Sequence, residues 1–171
     1  RGGAADAALH RKFIQCEAMA HEYRLPLVRM IDGTGGGGSV KTLEDMGYTY
    51  IPAVPGWDKI IANLDTVPVV ALALGPTAGL GAARVVASHY SIMVRGLSQL
   101  FAAGPAVAAA IGDTLDREEL GGVDVHTRNG VVDDEVGSEA EAFVRARRFL
   151  SYLPSSIHER AARTKNRDPV T

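Results

Sequence analysis

Two short runs of apolar residues, each containing a proline near its start and each followed by glycines, dominate the first half of the chain. The first run, Leu25–Ile31, leads into the glycines between Gly33 and Gly38, and the second, Val67–Leu74, leads into "GPTAGLG". Continuous apolar runs of this length, bounded by turn residues, are typical of strands that are buried on both faces. We therefore predict two buried strands, each ending in a glycine loop.

Amphipathic segments and helix-boundary residues predict the helices around these strands. Six helices are predicted over 8–23, 40–46, 57–64, 105–111, 116–120 and 139–153. A seventh is predicted to begin near Ala78 or Gly79. Further short strands are predicted at 90–94, within 98–105 and at 130–135. Ser138 followed by Glu141 is a capping-box pattern. Helices that alternate with continuous apolar strands indicate the α/β class with parallel strands.

The first helix is expected to bury one face made by Phe13, Cys16, Met19 and Ala20, which would make Cys16 a buried structural thiol. The positions of the charged residues lead to two further expectations. Asp32, directly after the first strand, is expected to cap the loop backbone. Arg84, Asp133, Asp134 and Glu135 are expected to be solvated surface charges.

The composition of the chain limits the kinds of partner that it is expected to bind. The chain has 171 residues, 46% of them apolar, and a net charge of -2, which fits one globular domain and gives no basic field for nucleic acid. The single cysteine excludes an internal disulfide and a cysteine-rich metal site, and it fits a reducing compartment. No apolar run reaches the roughly 18 residues that a membrane span needs. We expect no metal, no nucleic acid and no membrane among its partners, and a cytoplasmic location, or the mitochondrial matrix in a eukaryote.

The loop "GTGGGG" literally matches the dinucleotide fingerprint G-x-G-x-x-G, but its flanks do not. Asp58 has about the right spacing for the acidic residue, yet it starts a helix instead of ending a strand. A phosphate-binding P-loop is also disfavoured, because Lys41 and Thr42 come two residues too late.

A third interpretation uses the bare backbone itself. Consecutive glycines after a buried strand leave amides free to converge on one oxygen, as in an oxyanion hole. The amides around Ala78, Gly79 and Leu80, near a predicted helix start, fit the same interpretation. The residues alone leave this role and a plain tight turn both open.

Four stretches together resemble the carboxyltransferase (β) subunits of biotin-dependent acyl-CoA carboxylases, of the propionyl-CoA and methylcrotonyl-CoA type. They are "RGG" at the start, "IDGTGGGG", the strand, loop and helix "VPVVALALGPTAGLGAARVVASHYSIMV", and the group "LFAAGPAV", "EELGGVDVHTRNGVVD" and "FLSYLPSS". The combination of Glu-Glu-Leu-Gly-Gly with Tyr-Leu-Pro is more specific than either glycine loop.

The resemblance implies a partial crotonase-like (ClpP/crotonase) α/β fold of repeated ββα units. It implies that 1–153 is most of the N-terminal acyl-CoA-binding domain, that 154–171 is a linker, and that the chain is a piece of a longer subunit. The implied reaction transfers a carboxyl group from carboxybiotin, held by a biotin carboxylase or carrier subunit, to the α or vinylogous carbon of an acyl-CoA. The freed biotin nitrogen can then serve as the base. Other carboxyltransferase protomers, in a homo- or hetero-hexamer, are the implied partners.

Carried over by position, the resemblance assigns the thioester oxygen to the backbone amides of Gly35 and Gly36. It assigns Gly37, and the residues Ala78, Gly79 and Leu80, to the acyl-CoA site. This chain departs from the family in having further glycines, Gly36–Gly38, where the family usually has Ala-Arg, and Gly-Leu-Gly in the second loop where the family has Gly-Gly-Ala. The departures leave two alternatives open: a non-catalytic scaffold subunit, or another crotonase-like CoA-ester enzyme such as a hydratase or decarboxylase.

Overall fold

A computed structural model describes residues 7–34, 44, 47, 56–112 and 114–163. Its helices are α1 (Ala7–Tyr23), α2 (Trp57–Asn63), α3 (Leu80–Val86), α4 (Pro105–Ala110), α5 (Arg117–Gly121), α6 (Val123–Arg128) and α7 (Glu139–Ser151). Its strands are β1 (Leu27–Thr34), β2 (Val69–Ala78), β3 (Tyr90–Val94), β4 (Gln99–Phe101) and β5 (Asp134–Val136). The helix predicted over 40–46 falls almost wholly outside these described residues.

All five described strands belong to one parallel sheet, which confirms the predicted α/β class. The order is β1-β2-β3-β5, and β4 also pairs with β2. β3 pairs with the first half of β2, over Val70–Ala73, and β4 pairs with its end, over Pro76–Ala78. β2 is therefore the central strand, and every residue of its first half is buried.

Alternate side chains of β2 face two separate hydrophobic clusters. Val70 and Leu72 pack with Ala142 and Ala146 of α7 on one face of the sheet. Ala71 and Ala73 belong to the second cluster, on the other face, which includes Val85 of α3. A continuous apolar run is the pattern expected of a strand with helices on both faces, and β2 has that environment.

Both predicted strands are longer than the apolar runs that predicted them. β1 continues to Thr34 instead of ending at Ile31, and β2 continues to Ala78 instead of Leu74. The extension has a physical cause: the end of β2 gains hydrogen-bonding partners on both sides, from β1 and from β4. The sequence "GPTA" is thus the end of a strand, and the loop predicted there is wrong.

The register between β1 and β2 is interrupted at this extension. Ile31 pairs with Ala73, whereas Gly33 pairs with Thr77. The carboxyl group of Asp32 lies where a side chain on Gly75 would project, so Gly75 leaves room for Asp32. Asp32 itself is exposed.

The predicted buried face of α1 is wrong for three of its four residues. Cys16 is exposed, Phe13 and Met19 are 39% and 42% exposed, and only Ala20 is buried. The residue buried beside Ala20 is the charged Glu17. The elements that pack against α1 determine which of its faces is buried, and the apolar residues of the helix alone could not identify that face.

In the second half of the chain, the sequence patterns predicted the cap of α7 and the end of α5 only in part. Ser138 caps α7 by accepting the amide of Glu141, but the Glu141 carboxylate accepts from Gly137 instead of completing the predicted box. Gly121 and Gly122 interrupt the helix as expected, yet α6 begins directly afterwards and was not predicted.

The acidic run before α7 lies at the surface, as predicted, but its carboxylates are hydrogen-bonded instead of being only solvated. Asp133 accepts hydrogen bonds from the backbone amide and hydroxyl of Ser91, at 2.8 and 2.7 Å. Tyr90 donates its hydroxyl to Asp134 at 2.6 Å. These contacts fasten the short edge strand β5 to β3.

Candidate active site

The end of β1 and the start of α3 lie side by side. Gly33 pairs with Thr77 and Thr34 pairs with Ala78, the last residue of β2. A side chain on Gly81 would lie 3.4 Å from the carbonyl oxygen of Gly33. The two glycine segments that the sequence singled out therefore start from adjacent positions at the carboxyl ends of neighbouring parallel strands, where ligands commonly bind in α/β proteins.

Gly35, Gly36 and Gly37 lie outside the described residues. They follow Thr34 directly in the sequence. The structure places only the preceding strand, which ends beside Ala78. The role assigned to these three glycines therefore stays a prediction.

The structure describes all three residues predicted from the second loop. Ala78 is half-buried and pairs with Phe101, while Gly79 and Leu80 are exposed. Gly79 has φ 59° and ψ -124°, a left-handed backbone conformation that side chains disfavour, which accounts for a glycine at this position. Leu80 is the first residue of α3, and its side chain is 44% exposed.

The backbone amides of this turn are not equivalent. Gly79 donates its N–H to the carbonyl oxygen of Phe101 at 2.9 Å, so that amide is already paired. The carbonyl oxygen of Gly79 accepts from Ala83. The amides of a helix's first turn have no carbonyl partner within the helix, and no side chain caps α3. The donors that this turn offers to a ligand thus begin at Leu80.

The Glu-Glu-Leu-Gly-Gly stretch supports this turn indirectly. Asp116 and Glu119 form a reciprocal capping box at the start of α5. Glu118 accepts a hydrogen bond from Gln99 of β4, which is buried. Gly121 lies directly against the backbone of Leu100 and the ring of Phe101, in space that a side chain would fill. The motif therefore holds β4, and β4 in turn holds Gly79 through Phe101.

Gln99 and Glu118 are supporting residues that the sequence analysis missed. A buried glutamine in a three-residue strand was a usable signal, because a buried amide needs a hydrogen-bond partner. The first glutamate of the motif, Glu118, was one of several carboxylates that could accept it. Their contact still joins residues 19 positions apart, which no local pattern specifies.

The described residues of this turn provide backbone donors and apolar surface. His89 is paired elsewhere: its Nδ1 accepts the amide of Val69, and its Nε2 lies 2.9 Å from the carbonyl oxygen of Leu64. Within the described part of the chain, no three His, Cys, Asp or Glu side chains are grouped so that they could hold a metal ion. None of the described helices is long and apolar enough to cross a membrane.

Comparison with known proteins gives a consistent family. The model of the carboxyl transferase domain matches residues 1–171. The chain is 28% identical, over 99% of its length, to the mitochondrial methylcrotonoyl-CoA carboxylase beta chain of Dictyostelium discoideum. It is 29% identical, over 90% of its length, to a probable biotin-dependent acyl-coenzyme A carboxylase beta2 subunit of Mycobacterium tuberculosis. These matches bear out the resemblance found in the motifs.

The chain spans only 29% and 28% of the lengths of these two relatives. Among solved structures, the fold resembles that of transcarboxylase 12S with methylmalonyl-coenzyme A and methylmalonic acid bound, described as a hexamer assembly and a multienzyme core. The TM-score is 0.76 and the identity 24%, over 96% of this chain and 32% of that one. This similarity confirms the crotonase-like fold, as part of a larger domain.

Proposed function

We propose a carboxyltransferase function, because this chain belongs to the carboxyl transferase domain family over all 171 of its residues. The proposed protein is the carboxyltransferase component of an acyl-CoA carboxylase. Its reaction moves a carboxyl group onto the α or vinylogous carbon of an acyl-CoA. The family match is the observation that carries the proposal, and the adjacent ends of β1 and β2 support it.

Carboxybiotin, held by a biotin carboxylase or carrier partner, would supply the carboxyl group and a basic nitrogen. The residues of this chain would bind and polarise the acyl-CoA. In the proposed arrangement the amides of Gly35 and Gly36 donate to the thioester oxygen as negative charge develops on it. Losing one such donor typically costs about 2.7–4 kcal/mol of transition-state stabilisation.

Ala78, Gly79 and Leu80 would line the acyl-CoA beside those glycines. The amide of Leu80 and its exposed side chain suit a polar oxygen and an apolar acyl group, respectively. Because Gly79 donates its N–H to Phe101, its proposed contribution is the shape of the turn rather than a donor. Gly37 would extend the same binding surface.

The proposed domain covers 1–153, with 154–171 as a linker. Assembly with further carboxyltransferase protomers, as a homo- or hetero-hexamer, belongs to the proposal. It is supported by the fold shared with transcarboxylase 12S, whose structure is described as showing a hexamer assembly.

The test is a carboxylation assay of the full-length protein with its biotin-carrying partner, across short, branched and long acyl-CoA esters. Turnover of at least one ester is expected. Neither turnover nor binding of any CoA ester would contradict the proposal. Co-purification with a biotinylated protein separates it from a hydratase or decarboxylase, which needs no such partner.

The altered glycine loop favours one second candidate, a scaffold subunit without catalysis. Gly36–Gly38 replace residues that are usual in the family, and a changed donor loop is compatible with assembly alone. This candidate predicts that the protein enters the complex while acyl-CoA binding, measured by calorimetry, is absent.

A further inference from the structure

A buried ionic cluster joins three elements on one face of the sheet. Arg29 of β1 makes a two-point contact with Glu17 of α1, from Nε to Oε1 at 2.7 Å and from Nη2 to Oε2 at 2.9 Å. Asn63 of α2 donates to the same Oε2 at 2.9 Å and to the Glu17 carbonyl oxygen at 3.0 Å. The side chains of Arg29 and Glu17 are each 2% exposed.

Arg29 also contacts the end of α3. Its Nη1 donates to the carbonyl oxygens of Ala87 and, at 3.3 Å, Arg84. The last carbonyl groups of a helix lack partners within the helix, and a cation is favourable there. The Arg29 guanidinium therefore supplies hydrogen bonds to the last carbonyl groups of α3, although Arg29 is itself a residue of β1.

The charges of the cluster keep Arg29 in this position. Burial by itself would raise the pKa of Glu17, but hydrogen bonds and charge from Arg29, with contributions from Asn63 and Arg84, lower it overall. Glu17 is therefore ionised and holds the guanidinium. Arg84, which was expected to be solvated, lies with Nη2 3.5 Å from Oε1 of Glu17 and with its guanidinium 4.5 Å from the centre of the Phe13 ring.

We propose that Arg29 is a positioning residue that fixes α3 relative to β1 and thereby holds the turn at Gly79 and Leu80 against the end of β1 at Gly33. The inference rests on the proposed function, because this turn is proposed to line the acyl-CoA. β1 leads into Gly35 and Gly36, and α3 begins at Leu80. Arg29 joins the same two elements from the opposite end of α3.

The geometry makes this connection direct. α3 has seven residues, so its two ends are about 10 Å apart, and a short helix moves as one body. The other end of α3 already lies against β1, since Gly81 is packed next to the carbonyl group of Gly33. A small tilt of α3 would move the amide of Leu80 relative to the end of β1 at Gly33. Misplacement by about 1 Å can lower a rate by roughly a hundred-fold.

The test compares Glu17→Gln/Arg29→Met with the wild type, in the full-length protein with its biotin-carrying partner. Glutamine keeps an acceptor for Asn63, and the double variant removes both buried charges, a replacement that is often neutral for stability. The expected result is a kcat about ten- to a hundred-fold lower in the double variant than in the wild type. KM and the oligomeric state should change little. The backbone amides of Ala83 and Ala87, which donate to the carbonyl oxygens of Gly79 and Ala83, should exchange hydrogen faster.

Arg95→Met is the matched control, because Arg95 forms ion pairs on the surface with Asp124 and Glu135 and does not contact α3. It should leave kcat and the exchange of the α3 amides unchanged. If the double variant does not fold, Arg29→Lys carries the test, because one ammonium cannot hold both carboxylate oxygens and both helix carbonyl groups.

Unchanged kcat and unchanged α3 exchange in the tested variant would overturn the positioning role. An inactive wild-type protein would instead count against the proposed function. In that case hydrogen exchange alone still decides whether Arg29 fixes α3: faster exchange supports this role, and unchanged exchange overturns it.

Discussion

Gly81→Ala should be destabilising, and Thr77→Ser should rescue it. A Cβ atom on Gly81 would lie 2.7 Å from Cγ2 of Thr77. Carbon atoms in contact are normally about 3.5–4.0 Å apart, so α3 would have to move away from the sheet by about 1 Å. The remaining neighbours, the Gly33 carbonyl oxygen at 3.4 Å and Ile31 at 3.9 Å, are at ordinary contact distances.

The expected change in the free energy of unfolding of Gly81→Ala has two opposing contributions. Overpacking of this kind costs about 1–3 kcal/mol, and replacing glycine by alanine in a helix returns at most about 1 kcal/mol. Thr77→Ser alone should cost about 1 kcal/mol, because it removes one buried methyl group. Serine retains the hydroxyl that Thr77 donates to the carbonyl oxygen of Gly75. In the double variant the alanine methyl takes the vacated space, so the two effects should not add.

The assay is a double-mutant cycle on the free energy of unfolding, from urea titrations followed by circular dichroism. We expect a coupling energy of about 1–3 kcal/mol in favour of the double variant, and a recovery of kcat that parallels it. Gly137→Ala is the control, since its nearest neighbour would be Glu141 at 3.7 Å. Additive effects of the two substitutions, within about 0.5 kcal/mol, would refute the argument that Gly81 is required by the close approach of α3 to β2.

Three further predictions address the proposed donors, their support and the opposite face of the sheet. Gly35→Val should abolish acyl transfer without disturbing assembly, measured by turnover and size-exclusion chromatography, and wild-type turnover would refute the oxyanion role. Gly121→Ala should cost at least about 1–3 kcal/mol and speed hydrogen exchange at the Gly79 amide, since the new methyl group would clash with the Leu100 carbonyl oxygen and the Phe101 ring. Unchanged exchange would argue against support through β4. Burial and the hydrogen bond to Asp134 raise the pKa of Tyr90 from 10.0 to about 12. The neutral phenol is thus favoured in the folded state, and this stabilisation is complete below pH 10 and lost as the pH rises toward 12. The difference in tyrosinate absorbance between wild type and Tyr90→Phe should show this late titration, and a midpoint near 10 would contradict it.

Much of the candidate site could be located from the sequence because its elements are local. The apolar runs before Gly33 and Gly75 predicted two buried strands, and the structure pairs them as parallel neighbours. The motif around Glu118 indicated the family, which the match over the whole chain confirms. These features depend on residues close together in the chain, where periodicity and spacing carry the information.

The structural roles inside those motifs were less accessible. Gly79 is required by its backbone angle, whereas Gly81 and Gly121 are required by neighbours that approach closely. The sequence shows the same residue type in all three positions. Only the packed structure distinguishes a glycine required by its backbone angles from a glycine required because a neighbour leaves no room for a side chain.

By itself, the sequence determined the α/β class, the family and the positions where helices and strands recur, since each follows from local patterns of apolar, glycine and capping residues. The tertiary structure alone decided that Glu17 and Arg29 are buried while Cys16 is exposed. It also decided that β2 continues through "GPTA". The physical reason is that burying a charge or extending a strand is favourable only when distant residues supply the partners. Here Arg29 meets Glu17 from 12 residues away and Ala87 from 58, contacts that exist only once β1, α1 and α3 have packed together.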